Sequence, residues 1–192
     1  MQWTDKTLAH LASVDQFLGR TVPDLLDESC DQTPNDQAFH QWIENKWKTL
    51  SNAEFRSQVE SIALGFSSLG LQKGDRIALL MHSNVNFCLT DLGCLLANLV
   101  DVPLDLTQTL EHLIFVLQHS EAKGLVISNL ELLTQVLPYL HLVSTLQVVV
   151  VVDVPSEWQQ TRSKWLAPAS ALSESTLSPI PESDIPDTDY IP

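Results

Sequence analysis

Four short apolar runs, opening near Arg76, Val100, Gly124 and Gln147, recur about 24 residues apart, with a helical pattern filling each gap. That interval accommodates a strand, a crossover helix and two loops, the unit of a right-handed βαβ connection between parallel strands. The first run is the best marked. Gly74 and Asp75 turn the chain into it, residues 77–81 are apolar without alternation, and Ser83 or Asn84 is placed to cap the helix that follows. An unalternating run of that length fits a strand covered on both faces. The expected class is therefore α/β, with a mostly parallel sheet and helices on both faces. The units share no sequence identity, so this is a topology and not a repeat array.

The remaining chain adds four features. Residues 1–20 carry Leu8, Leu11, Val14, Phe17 and Leu18 at weakly helical spacing and read as an N-terminal arm. From Thr21, Pro23, Asp24, Asp27 and Glu28 mark a helix start, with Val22, Leu25, Leu26 and Cys30 as its expected buried side. Residues 38–43 and 47–50 read as a small antiparallel hairpin around Glu44, Asn45 and Lys46. Ser51 and Glu54 then form a capping box, ahead of Phe55, Val59, Ile62, Ala63, Phe66 and Leu69 on one helical face and Gly70 as a left-handed stop.

Downstream, residues 85–99 are apolar nearly all round, which predicts a helix buried on most sides. Pro103 lacks a ladder donor and belongs at a strand end or a bulge. Thr107 or Thr109 is expected to cap a helix through Leu110, Leu113, Ile114 and Leu117, and Asn129 one through Leu130, Leu133, Val136 and Leu137. Beyond Asp153 the character changes, because Pro155, Pro168, Pro179, Pro181, Pro186 and Pro192 all fall there among serines, threonines and acids. The expected organisation is an arm over 1–20, an α/β lobe over 21–153 and an irregular linker over 154–192.

Charge and cysteine usage exclude several classes. A formal charge of -14 with ten scattered Lys and Arg leaves no surface that tracks phosphate backbones, so nucleic acid is excluded as a partner. Asp5, Lys6, His10 and Asp15 interrupt any signal-peptide core, which points to a cytoplasmic protein. The longest apolar run, 148–152, is far too short for a transmembrane segment, although peripheral membrane contact stays compatible with the sequence. Cys30, Cys88 and Cys94 lack CxxC spacing and are expected to be three buried thiols in a reducing compartment. The six histidines show no HExxH pairing, so no metal ligand is assigned. The tryptophans at 3, 42, 47, 158 and 165 read as packing residues.

In an open parallel sheet, ligands meet the loops at the carboxyl ends of the strands. Here those loops hold His82, Ser83 and Asn84, then Asp105 to Gln108, then Ser128, Asn129 and Leu130, and the neighbourhood of Asp153. Ser83, Asn84, Thr107 and Asn129 also read as plain helix caps, and a cap can still aim a helix N-terminus at an anion. The glycines at 70 and 74 precede a strand and form no GxGxxG; GxxxxGK[ST] is absent. His82 beside Ser83 lacks the GxSxG elbow, so no catalytic residue is assigned.

The order of these elements and several of their residues resemble the adenylate-forming acyl ligases, which include acyl-CoA synthetases and fatty acyl-AMP ligases. The likeness runs through Thr21-Val22-Pro23-Asp24-Leu25-Leu26, Thr33-Pro34-Asn35 and Trp47-Lys48-Thr49-Leu50-Ser51-Asn52-Ala53-Glu54-Phe55. It continues through Leu69-Gly70-Leu71-Gln72-Lys73-Gly74-Asp75-Arg76-Ile77-Ala78, Val102-Pro103-Leu104-Asp105 and Leu117-Gln118-His119-Ser120-Glu121-Ala122-Lys123. Residues 90–94 and 149–153 look most like the long-chain fatty-acid members. One departure is that many members carry a glycine ahead of the Val-Pro strand, where this chain has Asn98-Leu99-Val100-Asp101.

The resemblance implies a two-step ligase. A carboxylate attacks ATP in the presence of Mg2+ to give an acyl-adenylate, and a thiol such as coenzyme A or a carrier protein then takes the acyl group. In the family, the phosphate loop and the other nucleotide-handling groups lie further along, so the chain reads as an N-terminal lobe, inactive alone, whose partners are the rest of the same ligase and a fatty acid. Asp105, Thr107, Ser128 and Asn129 correspond to a border of the thiol-carrier tunnel. An alternative from another class is a non-catalytic homologue serving as an interaction or regulatory module.

Overall fold

The structure, a computed structural model, describes residues 20–43 and 45–155. The expected arm and linker lie outside these residues, apart from Arg20, Val154 and Pro155. Helix α1 (Val22–Gln32) opens at Thr21, whose hydroxyl accepts from Asp24 N while the Asp24 carboxylate accepts from Thr21 N at 2.7 Å. Of its expected buried side, only Cys30 is fully covered; Val22 is 52% and Leu25 38% exposed. The helix lies against the helices over Asn52–Ser68 and Val85–Leu96 on the side of Leu26 and Cys30, which leaves Val22 and Leu25 turned outward.

Strands β1 (Phe39–Ile43) and β2 (Lys46–Leu50) pair antiparallel with Trp42 opposite Trp47 and Ile43 opposite Lys46. Lys46, expected in the turn, begins β2 instead. Asn45 takes φ 60°, the left-handed conformation that short hairpin loops require. Phe39 stacks on Phe55 at 4.1 Å and fixes the base of the hairpin to helix α2 (Asn52–Ser68). The expected capping box of Ser51 and Glu54 is present, with Ser51 N donating to Glu54 Oε2 at 2.9 Å.

The main sheet has four parallel strands in the order β4-β3-β5-β6, where β3 is Arg76–Leu80, β4 Val100–Pro103, β5 Gly124–Asn129 and β6 Val148–Asp153. The crossovers are α3 (Val85–Leu96), α4 (Leu110–His119) and α5 (Leu130–Val136) with a 3-10 turn over Leu137–Leu142. Alternate residues of the two inner strands serve opposite layers. Ala78, Leu80, Leu125 and Ile127 pack with Leu113, Ile114, Leu117 and Val136, while Ile77, Leu79 and Val126 pack with Phe66 and Cys94. This two-sided burial is why the runs show no alternation of polarity. Pro103 ends β4, an outer strand, where its missing N–H costs no ladder bond.

Helix α3 is shorter and less enclosed than residues 85–99 suggest. Leu89, Thr90, Gly93 and Cys94 face α2 and the sheet, while Leu96 is 37% exposed and Cys88 is exposed as well. The expectation of three buried thiols is therefore corrected to two, Cys30 and Cys94. Cys88 is in the first turn of α3, on the side that neither α2 nor the sheet covers.

Candidate functional site

The two ends of the main sheet differ in chemistry. At the amino ends of β3, β4 and β5 the preceding helices stop in the same way, with Gly70, Asn98 and Glu121 at φ 86°, 57° and 50°. In each case the next amide reaches back to close the helix: Leu71 N to Phe66 O at 3.3 Å, Leu99 N to Cys94 O at 2.9 Å and Ala122 N to Leu117 O at 3.1 Å. Asn98 therefore makes the left-handed turn ahead of β4. Charged groups tie this end together. Lys123 Nζ lies 2.7 Å from Asp75 Oδ1, and Arg76 donates to Ser120 O at 2.7 Å and to Glu121 Oε2 at 2.7 Å. Hydrogen bonding from Lys123 holds the Asp75 carboxyl below the usual carboxylate range, with the Gln72 amide adding to it.

The carboxyl ends carry neutral and acidic groups. Asp105, just past β4, folds its own loop: Oδ1 accepts from Thr107 N at 2.8 Å and from Thr107 Oγ1 at 2.9 Å, and the backbone bond, ahead of the hydroxyl, lowers its pKa. Thr107 is thus committed to a turn, and Thr109 is the residue that caps α4, accepting from His112 N. Ser128 is buried at the end of β5, and its Oγ accepts from His82 N at 2.8 Å, joining the loop after β3 to the neighbouring strand. Asn129 caps α5 by accepting from Leu132 N at 2.9 Å and lies in register with Asp153 of β6. Asn84, not Ser83, caps α3 through Phe87 N at 3.3 Å.

The four residues singled out from the sequence thus sit at one end of the sheet, following β4 and ending β5, with the loop after β3 between them in the strand order. They do not share one hydrogen-bond network: Asp105 and Thr107 bond each other, while Ser128 bonds His82 and Asn129 bonds Leu132. Gln108, in the same loop as Asp105, has its Nε2 buried without a protein partner. Nothing in the sequence flags it, since a glutamine among Thr107, Thr109 and Leu110 reads as loop.

Among the described residues no group of three His, Cys, Asp or Glu is placed to hold a metal ion. Asp91 on α3 is held above the usual carboxylate range, first by burial and then by Asp101 on β4. Burial, with Asp101 and Asp91 adding, pushes the Cys94 thiol up to about 12, which makes it inert as a nucleophile at neutral pH. A groove of about 540 Å³ runs between α4 and the 3-10 turn, lined mainly by Leu110, Ile114, Phe115, Tyr139 and Leu142 with Glu111 and Gln118 at its edge. It is apolar, and none of the four sequence-selected residues lines it.

Comparison with known proteins places this arrangement. The family model for the AMP-binding enzyme matches residues 26–189. The long-chain-fatty-acid–CoA ligase FadD15 of Mycobacterium bovis is 33% identical over 89 residues, covering 46% of this chain and 15% of that protein. Among solved structures, the fatty acyl CoA synthetase of Mycobacterium tuberculosis superposes with TM-score 0.61 at 23% identity, covering 73% of this chain and 28% of that one. The adenylation domain of a carboxylate reductase from Mycobacterium chelonae gives TM-score 0.64 at 19% identity, covering 81% and 26%. The chain therefore spans between 15% and 28% of the length of these relatives. With a family match over most of its length and the same parallel sheet, this chain belongs to the AMP-binding enzyme family, and its described residues correspond to the N-terminal lobe of that fold.

Proposed function

We propose that this chain is the N-terminal part of an ATP-dependent fatty-acid ligase that forms an acyl-adenylate and passes the acyl group to coenzyme A or a carrier thiol. The observation that carries the reading is the match over residues 26–189 to the AMP-binding enzyme, taken with a 33% identical relative whose name is a long-chain-fatty-acid–CoA ligase.

The residues at the carboxyl ends do not fit a nucleotide–magnesium site. Neither of the strand-end loops 82–84 and 105–108 contains a lysine, an arginine or a glycine, so neither offers a cradle for phosphate. Arg76 and Lys123 are engaged by carboxylates at the opposite end of the sheet. The adenylation step is therefore assigned to residues other than those described, and the chain alone is expected to be inactive. What the carboxyl ends do offer is a set of short polar groups. The Thr107 hydroxyl oxygen, which can still accept while donating to Asp105, the Asn129 side-chain NH2 and the buried Gln108 amide suit hydrogen bonding to the neutral, amide-bearing arm of a thiol carrier. Ser128 acts one step back by holding the His82 amide.

The test is a hybrid enzyme in which residues 21–153 replace the corresponding segment of a long-chain ligase. Thr107→Ala and Asn129→Ala in that hybrid are expected to raise the KM for coenzyme A about tenfold, with fatty-acid-dependent exchange of pyrophosphate into ATP unchanged. Equal loss of both activities would remove these residues from the thiol path.

A second reading, a non-catalytic interaction module, is favoured by one observation: Phe115, Leu137, Tyr139 and Leu142 are all exposed beside the apolar groove. Under that reading Phe115→Ser weakens association with a partner, and pyrophosphate exchange stays absent from the hybrid as well.

A further inference from the structure

We propose that residues 8–18 of the N-terminal arm dock, within the same chain, in an open apolar furrow between α2 and α3. The inference is independent of the ligase reading. Helix α1 runs antiparallel to α2. Asn52, at the start of α2, bonds Ser29 O and Thr33 O; one turn on, Arg56 pairs with Asp27 and Asp31; and Glu60 shares a small pocket with Pro23. The N-terminal end of α1 therefore lies beside the middle of α2, and α1 covers only the first half of the seam that α2 makes with α3.

Past that point the seam continues as a furrow of about 370 Å³, from Glu60 along Ala63, Leu64 and Leu96 to Ser67 and Ala97. Glu60 and Leu96 also line the pocket beside Pro23, so the furrow opens where the arm joins α1. Leu64 is 69% exposed and Leu96 37%, and Val22 at the mouth is exposed as well. Several apolar side chains left open along one groove mark a surface that another segment covers.

The occupant follows from what is tethered at the mouth. Thr21 is extended, at φ -94° and ψ 163°, so the chain leaves the axis of α1 there and can turn toward the furrow. Upstream, Leu11, Val14 and Leu18 recur at helical spacing, with Leu8 and Phe17 beside them. At helical rise Leu11 to Leu18 covers roughly 10 Å, and Glu60 to Ser67 on α2 covers the same roughly 10 Å. A segment joined through so short a link is present at a local concentration on the order of millimolar, which favours it over a separate molecule. A second copy is disfavoured further, because two chains of formal charge -14 repel each other. Docked there, the arm withdraws Leu64 and Leu96 from other proteins and steadies the start of α1.

The test uses the 192-residue chain carrying Cys88→Ser, which removes the exposed native thiol. Leu18→Cys combined with Leu64→Cys should then form a disulfide within one chain under mild copper–phenanthroline oxidation, read by mass spectrometry of tryptic peptides. Leu18→Cys combined with Phe115→Cys, which lies in the helix layer on the other side of the sheet, should do so about tenfold less. As a second readout, Leu64→Asp in the otherwise unaltered chain should speed chymotryptic cleavage after Phe17 about tenfold, with the far-UV circular dichroism retained, because cleavage follows the population of undocked arm. The proposal is overturned by no bond from the first pair, by bonds only between two chains, by equal bonding of both pairs, or by cleavage at one rate with and without Leu64→Asp.

Discussion

Asn52 shows how much can rest on a side chain that local sequence rules treat as filler. Placed one residue after the Ser51 cap, it is buried, and its amide donates to Ser29 O and Thr33 O at 3.0 Å each while accepting from Asn35 N at 3.0 Å. Three partners from the end of α1 are thus held by one carboxamide at the start of α2. Asn52→Leu removes all three bonds and buries an ill-fitting side chain there, although Ser29 O keeps the Thr33 amide, and should cost about 1–3 kcal/mol in denaturant unfolding. The two shifted aspartates give opposite pH slopes. Asp75 is held low, so the stability it contributes is full above the ordinary carboxylate value and is lost as pH falls through its folded value. Asp75→Asn should flatten that acid limb. Asp91 is held high, so the folded state is favoured while it is protonated, and that contribution fades as pH rises through its folded value. Asp91→Asn should therefore raise the thermal midpoint at neutral pH and change it little at pH near 3; the opposite ordering would refute the assignment.

Between elements, α2 and α3 approach closely at Gly93. A Cβ at Gly93 would lie 2.5 Å from Ile62 Cγ2 and 3.0 Å from Ile62 Cβ, and neither is the free end of a flexible chain. Gly93→Ala should cost about 1–3 kcal/mol despite the better helix propensity of alanine, and Ile62→Ala should recover part of that loss in a double-mutant cycle. The boundaries that the sequence marks are those with a local chemical signature. Ser51 with Glu54, Gly70, Asn129 and Pro103 all announce a start or a stop by residue type. The turns at Asn98 and Glu121 use the same left-handed stop without glycine, and at Glu121, a residue type that rarely adopts it, the conformation is secured by Arg76 bonding to its carbonyl at 3.3 Å and to its carboxylate. A contact 45 residues distant is invisible to any local pattern. Glu121→Gly should consequently raise stability by about 0.5–1 kcal/mol, since it relieves the backbone and gives up only an exposed ion pair.

The spacing of the four strands and the identity of the loops at their carboxyl ends were legible because both follow from period and length alone. The division of labour between the sheet's two ends was not. Ion pairs gather at the amino ends through contacts such as Lys123 with Asp75 and Arg76 with Glu121, while the carboxyl ends keep neutral and acidic groups such as Ser128, Asn129 and Asp105. Likewise, the side of α3 that stays open, with Cys88 and Leu96, depends on what packs against it and not on its own composition. Under the proposed function, a lobe whose loops 82–84 and 105–108 hold no phosphate cradle is a platform that needs further residues to adenylate anything. Fatty-acid-dependent exchange of labelled pyrophosphate into ATP tests this most directly. The 192-residue chain should show none above buffer, and the same chain joined to the remaining part of a long-chain ligase should show exchange; turnover by the chain on its own would contradict the account.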